Sequence, residues 1–213
     1  MLMKGERRVW KHRLRSTWMG AAFLLMASVA PAVAKQPWVE GDKLEFTLPD
    51  LQGQVVDSSD ERFSGKVLLV ELWATWCPPC LSEISTLIEL QSKYEDRGLV
   101  IVAIAFEGDK RPEGRREQLQ EFVEQNNINY LVLDGGLPED FESSLPGVRN
   151  VRGFPVEILV DRQGRVTAAR NGYGYKKRWA RNLDREIESL LGLASGRTEA
   201  DPAQQAVESK EGH

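Results

Sequence analysis

Apolar and polar positions along the chain follow two periods. In residues 43–48 (Lys-Leu-Glu-Phe-Thr-Leu) every second side chain is apolar, as in a strand with one buried face. Residues 51–56 return through Gly53 as the second arm of a hairpin. Residues 66–73 and 99–105 are nearly continuous apolar runs and predict strands covered on both faces. Between them, Ile84, Leu87, Ile88 and Tyr94 keep helical spacing from Cys80 to about Asp96, and Gly98 supplies the stop. A charged loop over 107–114 precedes a helix over 115–127 with Leu119, Phe122 and Val123 inward, and 130–133 is a short strand. Residues 134–150, with three glycines and two prolines, read as irregular apart from a turn near Phe141. Strands over 156–160 and 165–169 are joined through Asp161-Arg-Gln-Gly164, and a helix over 175–191 sets Trp179, Leu183, Ile187 and Leu190 on one stripe. Strands alternating with helices imply parallel pairing, while the close-set pair at 156–169 must be antiparallel. The pattern predicts an α/β chain with a central mixed β-sheet flanked by helices.

The two ends read differently. A basic stretch over 4–15, an apolar run from Trp18 to Ala30 and an Ala32-Val-Ala34 site form the pattern of a secretory signal over 1–34, cleaved after Ala34. Pro31 cuts the apolar run short of a membrane span, and an uncleaved inner-membrane anchor is the alternative reading. Arg7-Arg8 is half of a twin-arginine signal whose remainder is poor, and no cysteine follows the cleavage site as a lipoprotein would require. Residues 35–193 form the folded domain, and 194–213, with only Ala206 and Val207 interrupting small, polar and charged residues, read as a disordered tail.

Composition narrows the function. The 213 residues carry 28 Lys+Arg against 32 Asp+Glu. Without 1–34 the balance is 22 basic to 31 acidic groups, a net charge of −9, which speaks against a nucleic-acid partner. His12 leaves with the signal, so His213 at the extreme C-terminus is the one histidine of the mature chain. Two cysteines are too few for a disulfide framework or, with so few histidines, for a structural zinc site; no metal and no bound cofactor is expected.

The chemistry concentrates in Trp76-Cys77-Pro78-Pro79-Cys80, where a buried strand gives way to a helix. Two intervening residues bring both sulfurs within bridging distance across the first helical turn. A helix N-terminus offers unpaired N–H groups, which favour a thiolate on Cys77. Pro78 and Pro79 suit that first turn, where a missing N–H costs nothing, and they stiffen the loop. A bridge that merely staples the loop is the bland reading, but closing so short a loop removes little entropy from the unfolded chain.

Residues 72–83 (Leu-Trp-Ala-Thr-Trp-Cys-Pro-Pro-Cys-Leu-Ser-Glu) resemble the active-site segment of the thioredoxin superfamily, and most of all its exported TlpA/ResA-like branch. Residues 151–155 (Val-Arg-Gly-Phe-Pro), followed by a strand, resemble that superfamily's cis-proline loop. The N-terminal hairpin, the helical insertion around 115–127, the hairpin after the proline and the closing helix fall in the same order, and the likeness covers about residues 40–192. It implies a thioredoxin-like fold and a Cys77–Cys80 disulfide that exchanges with protein substrates. Cys77 would be the exposed attacking sulfur and Cys80 the shielded one that resolves the mixed disulfide.

Glu83 matches the acid of the TlpA/ResA-like pattern and would exchange protons with Cys80; otherwise it is a first-turn glutamate favouring the helix dipole. Glu71 interrupts an apolar strand at the position of the buried acid of thioredoxins. It is either a proton shuttle to Cys80 or an acid on a solvent-facing or salt-bridged stretch. Trp76, Pro78, Pro79, Phe154 and Pro155 would line the substrate groove, Pro155 as the cis-proline whose backbone pairs with an extended substrate. Phe154 stands where relatives often carry a smaller or β-branched residue.

The resemblance further implies a periplasmic, monomeric reductase that acts on cysteine-containing exported proteins, apocytochrome c among them, and takes electrons from a membrane thiol donor. Two alternatives remain: a non-catalytic binding or assembly module with a structural disulfide, and a peroxiredoxin-like antioxidant. The Thr–Pro–Cys arrangement of the latter is missing here. A copper-handling chaperone would need a histidine and wider cysteine spacing, and a nucleotide or zinc hydrolase has no supporting motif.

Overall fold

The strand β3 (Val67–Trp73) is buried along its whole length and lies at the centre of a sheet ordered β5-β4-β3-β6-β7 among the described residues. The computed structural model describes residues 43–149, 151–171 and 176–193. The expected signal, its cleavage site and the tail from 194 lie outside them. Strands β4 (Leu99–Phe106) and β5 (Leu131–Gly136) continue the sheet in parallel on one side; β6 (Val156–Val160) and β7 (Val166–Asn171) continue it antiparallel on the other. The fold is the thioredoxin-like mixed sheet with flanking helices.

The pleat sorts β3 into two faces. Leu68, Val70 and Leu72 point into a core shared with Leu44, Phe46 and Leu48, so the alternation read at 43–48 is a buried face as expected. The paired arms of that hairpin are shorter than the pattern suggests, β1 (Thr47–Pro49) and β2 (Val55–Asp57). Val67 and Leu69 point the other way, against Leu87 and Leu90 of α2 (Ile84–Tyr94) and Trp179, Leu183 and Ile187 of α5 (Lys176–Leu190). Leu191, just past that helix, is buried, and Leu190 is only half-buried.

Two boundaries differ from the sequence reading. The helix expected from Cys80 to Asp96 is divided: α1 (Pro78–Leu81) ends at Ser82, whose N–H bonds to the carbonyls of both Pro78 and Pro79, and α2 begins after Glu83. The split places Glu83 at a joint between two helices, and apolar spacing cannot register such a joint. The insertion helix α3 (Pro112–Gln125) starts three residues earlier than expected, because Pro112 at its first position has the backbone angle a helix needs and no N–H to lose. The 134–150 stretch, expected to be irregular, opens on the end of β5 and then runs through a 3-10 turn (Pro138–Asp140) into a short helix, α4 (Phe141–Ser144).

The insertion is fastened by Leu119, fully buried, and by Arg115, whose Nε and Nη2 donate to Asp134 on β5 at 2.9 and 3.3 Å. Arg115 also donates to the carbonyl of Asp109 at 2.9 Å, and Asp134 accepts from Gly136 N–H at 3.0 Å. Both side chains are nearly inaccessible, at 9% and 1%. Truncating one leaves a buried charge unpaired. Asp134→Ala should therefore lower stability by about 3–5 kcal/mol in urea unfolding; a loss under ~1 kcal/mol, the scale of an exposed pair, would contradict this account of how α3 is held.

Candidate active site

The C-terminal end of β3 delivers the chain into the site. Ala74 is buried, Thr75 half-buried and Trp76 exposed, and Cys77 then caps α1. Cys77 and Cys80 are bonded, with their Cα atoms 5.3 Å apart, and Cys77 Sγ accepts the Cys80 N–H at 3.3 Å. Pro78 and Pro79 occupy the first helical positions, and both are exposed. Cys80 is wholly buried, as expected of a resolving sulfur. Cys77 departs from expectation: it is not exposed but 5% accessible. In the bonded state it packs in a cluster with Trp73, Ala74 and Cys80, against which Phe154 leans. The difference between the two sulfurs survives, but it is a matter of degree.

Phe154–Pro155 is a cis peptide bond, as the resemblance implied. The Phe154 ring stacks on Phe106 of β4 at 5.4 Å and meets Trp76 edge-on at 6.0 Å. Trp76 is 56% exposed and is not a core residue, whereas Trp73 is 2% exposed and packs on Phe122. Trp76 and Phe154 therefore meet beside the disulfide cluster, Pro78 and Pro79 are exposed next to Trp76 in the chain, and Pro155 is buried.

Behind that surface lie the two acids. Glu83 is fully buried and Glu71 2% exposed, so Glu71 does not stand on a solvent-facing stretch of its strand. Neither Glu83 oxygen nor Glu71 Oε2 has an N–H or hydroxyl donor. Each carboxyl is among the groups that shift the other, so the two lie close together, and two buried acids sharing a site do not readily ionise at once. Burial pushes Glu83 up to about 8, reinforced by the charge of Glu157 and opposed by its contact with Glu71. Burial, then the charges of Glu83 and Glu157, raise Glu71 well above the carboxylate range. Tyr130 is raised by burial and then by the charges of Glu71 and Glu83. A buried acid pair of this kind can take or give a proton near neutral pH.

Two site residues escaped the sequence reading. Glu107, assigned to a charged loop, ends up 1% exposed just past β4, where its Oε1 accepts the Thr75 N–H at 2.6 Å and its Oε2 the Thr75 hydroxyl at 3.0 Å. Gln118 of α3 donates to the same hydroxyl at 3.1 Å, tying the insertion to the loop before Trp76. Glu157, the second, lies opposite Glu71 on β6. Its signal was available, for it interrupts an apolar strand as Glu71 does. Among the described residues no group of His, Cys, Asp and Glu is arranged to hold a metal ion, and no helix is long and apolar enough to cross a membrane.

Comparison with known proteins places this geometry. The redoxin family model matches residues 39–187. The thioredoxin-like protein YneN of Bacillus subtilis is 28% identical over 142 residues, covering 66% of this chain and 75% of that protein. The thiol-disulfide oxidoreductase ResA of Bacillus cereus is 29% identical over 122 residues, 57% of this chain and 62% of that one, so the chain spans less than two thirds of its length. Among solved structures, a thiol:disulfide interchange protein DsbE from Chlorobium tepidum superposes with a TM-score of 0.59 at 28% identity, covering 73% of this chain and 99% of its own.

The raised acids set the pH dependence of stability. Above 4.5, the ordinary value, an unfolded Glu83 releases its proton, while the folded chain retains it up to about 8. The stabilising contribution is complete at low pH and is lost as pH rises through that window. Urea unfolding of the oxidised protein should therefore show stability falling from about pH 5 to about pH 8, with a shallower fall in Glu83→Gln. Stability that rises across the window, or an unchanged slope in the variant, would contradict the buried acid pair.

Proposed function

The chain belongs to the redoxin family, and from that premise we propose that it is an exported thiol–disulfide oxidoreductase acting as a reductase of cysteine-containing proteins without a bound cofactor. One observation carries this reading: the bonded Cys77–Cys80 pair at the start of a helical turn, with the Phe154–Pro155 loop against it and the Glu71–Glu83 acid pair buried behind. A structural staple needs neither the loop nor the acids. The relatives, a thiol-disulfide oxidoreductase and a thiol:disulfide interchange protein by name, support the same chemistry.

In the reduced protein the more accessible sulfur, Cys77, attacks a substrate disulfide as a thiolate, with the Cys80 N–H placed to favour its charge. The substrate's first sulfur leaves, and a mixed disulfide remains on Cys77. Cys80 then gives up its proton, attacks Cys77 and releases the substrate's second sulfur, regenerating the observed bond. Trp76 and Phe154 form an aromatic wall for the substrate chain, and the Pro155 backbone offers it a strand-like edge.

The rest of the proposal follows from the sequence. Residues 1–34 export the chain to the periplasm, by a cleaved signal or as an anchor, and 35–193 are the catalytic domain, monomeric. A membrane thiol carrier supplies the electrons, and apocytochrome c is one substrate that must be kept reduced.

Titration of the Cys77–Cys80 pair against glutathione tests direction: a reductase should lie at about −200 to −270 mV, and a value near −120 mV would make it an oxidant. Cys80→Ala should accumulate the mixed disulfide with a protein substrate, and Cys77→Ala should form none. Wild-type rates of insulin reduction in both variants would remove the catalytic reading.

A further inference from the structure

Glu157 is the buried acid that the exchange chemistry above leaves without a task. The antiparallel register sets it directly opposite Glu71 on β3, and the next strand sets Arg170 of β7 opposite Glu157. Partners in register share a face, so the three form one row across the sheet, on the side that packs against α2 and α5. There Glu157 Oε1 accepts the indole N–H of Trp179, and Oε2 lies 3.5 Å from Arg170 Nη1, while Arg170 Nη2 pairs in turn with Glu186. Glu157 therefore faces Glu71 from β3, Arg170 from β7 and Trp179 from α5, with Glu186 behind Arg170 and Glu83 within reach of its charge.

The surroundings of the three acids differ in kind. Indole and guanidinium can only donate, so a proton on Glu157 would find no acceptor among them, and the ionised form fits. Glu71 Oε2 and both Glu83 oxygens have no hydrogen-bond donor, so a charge there is costly and the protonated forms fit. The order of acidities agrees. Burial raises all three, but Arg170 and then Trp179 hold Glu157 to about 7, against about 8 for Glu83.

We propose that Glu157 is a positioning residue of the exchange: fixed as a carboxylate by Arg170 and Trp179, it keeps the Glu71–Glu83 pair ready to take the proton that Cys80 gives up. The inference rests on the reductase reading, in which Cys80 resolves the mixed disulfide. In that step the Cys80 S–H bond breaks, and its proton passes to the singly protonated, negatively charged acid pair, which becomes neutral. Cys80 sulfur bonds to Cys77, the bond from Cys77 to the substrate breaks, and the substrate sulfur leaves with the electron pair. The acid pair then returns its proton to that thiolate. Two electrons pass to the substrate and none to the acids. The charge on Glu157 makes the pair a stronger base without touching sulfur.

The test compares wild type with Glu157→Gln in single-turnover release of a disulfide-bonded peptide between about pH 5 and pH 9. Losing the charge should move the acidic limb of the profile down by about one pH unit, whereas a merely structural role would change the amplitude and leave the limb in place. An unmoved limb overturns the proposal. Should the variant fail to fold, a side-chain carboxyl NMR titration of the wild-type chain decides instead: Glu157 should ionise at lower pH than Glu71 and Glu83, and the reverse order refutes it. The two readings fail separately, because a wild-type chain without exchange activity, or a Cys77→Ala chain that retains it, would remove the reductase reading and not the order of ionisation.

Discussion

Everything chemical in this molecule is positioned from the C-terminal end of β3, a strand bonded on both edges and covered on both faces. A strand so constrained cannot slip, because a one-residue shift would turn every side chain to the wrong layer. Ala74, the buried residue just past its end, is three positions from Cys77, so the disulfide inherits the rigidity of the sheet centre. The same strand carries Glu71 on the face that looks toward the helices, where Ala103 of β4 stands beside it and Glu157 opposite. A small neighbour on one side and an acid on the other leave room for carboxyls and little for anything else.

Burying carboxyl groups there is costly, and the fold does not offset the cost with a cation at the centre. The nearest guanidinium, Arg170, is on the edge strand and engages the outermost acid. The inner two are accommodated by holding a proton, which removes the charge and supplies a donor. Protonation and stability are thus linked: the conditions that hold the acids neutral favour the fold.

Much of this was legible in the sequence. Continuous apolar runs gave the buried strands, and the short Asp161–Gly164 connection forced the antiparallel pair. The C-x-x-C spacing and the Phe154–Pro155 loop identified the exchanging group and what faces it. Other features were hidden because they depend on tertiary neighbours. Glu107 looks like the first residue of a charged loop until Thr75 is seen to bind both its oxygens. Cys77 looks exposed from its place at a helix start until its own cluster closes over it. The break at Ser82–Glu83 leaves the apolar spacing of the helix intact, and periodicity is blind to it.

That break governs how far the electrical influence on Cys77 extends. The N–H beside its sulfur belongs to a four-residue turn and not to the head of a long helix, so the favourable field comes from a donor at touching distance and not from many aligned peptides. Dissolved ions weaken interactions on the scale of the Debye length, about 8–10 Å in ordinary salt, and scarcely affect one inside a bonded pair of residues. A sulfur tuned in this way keeps its character in dilute and in concentrated electrolyte alike.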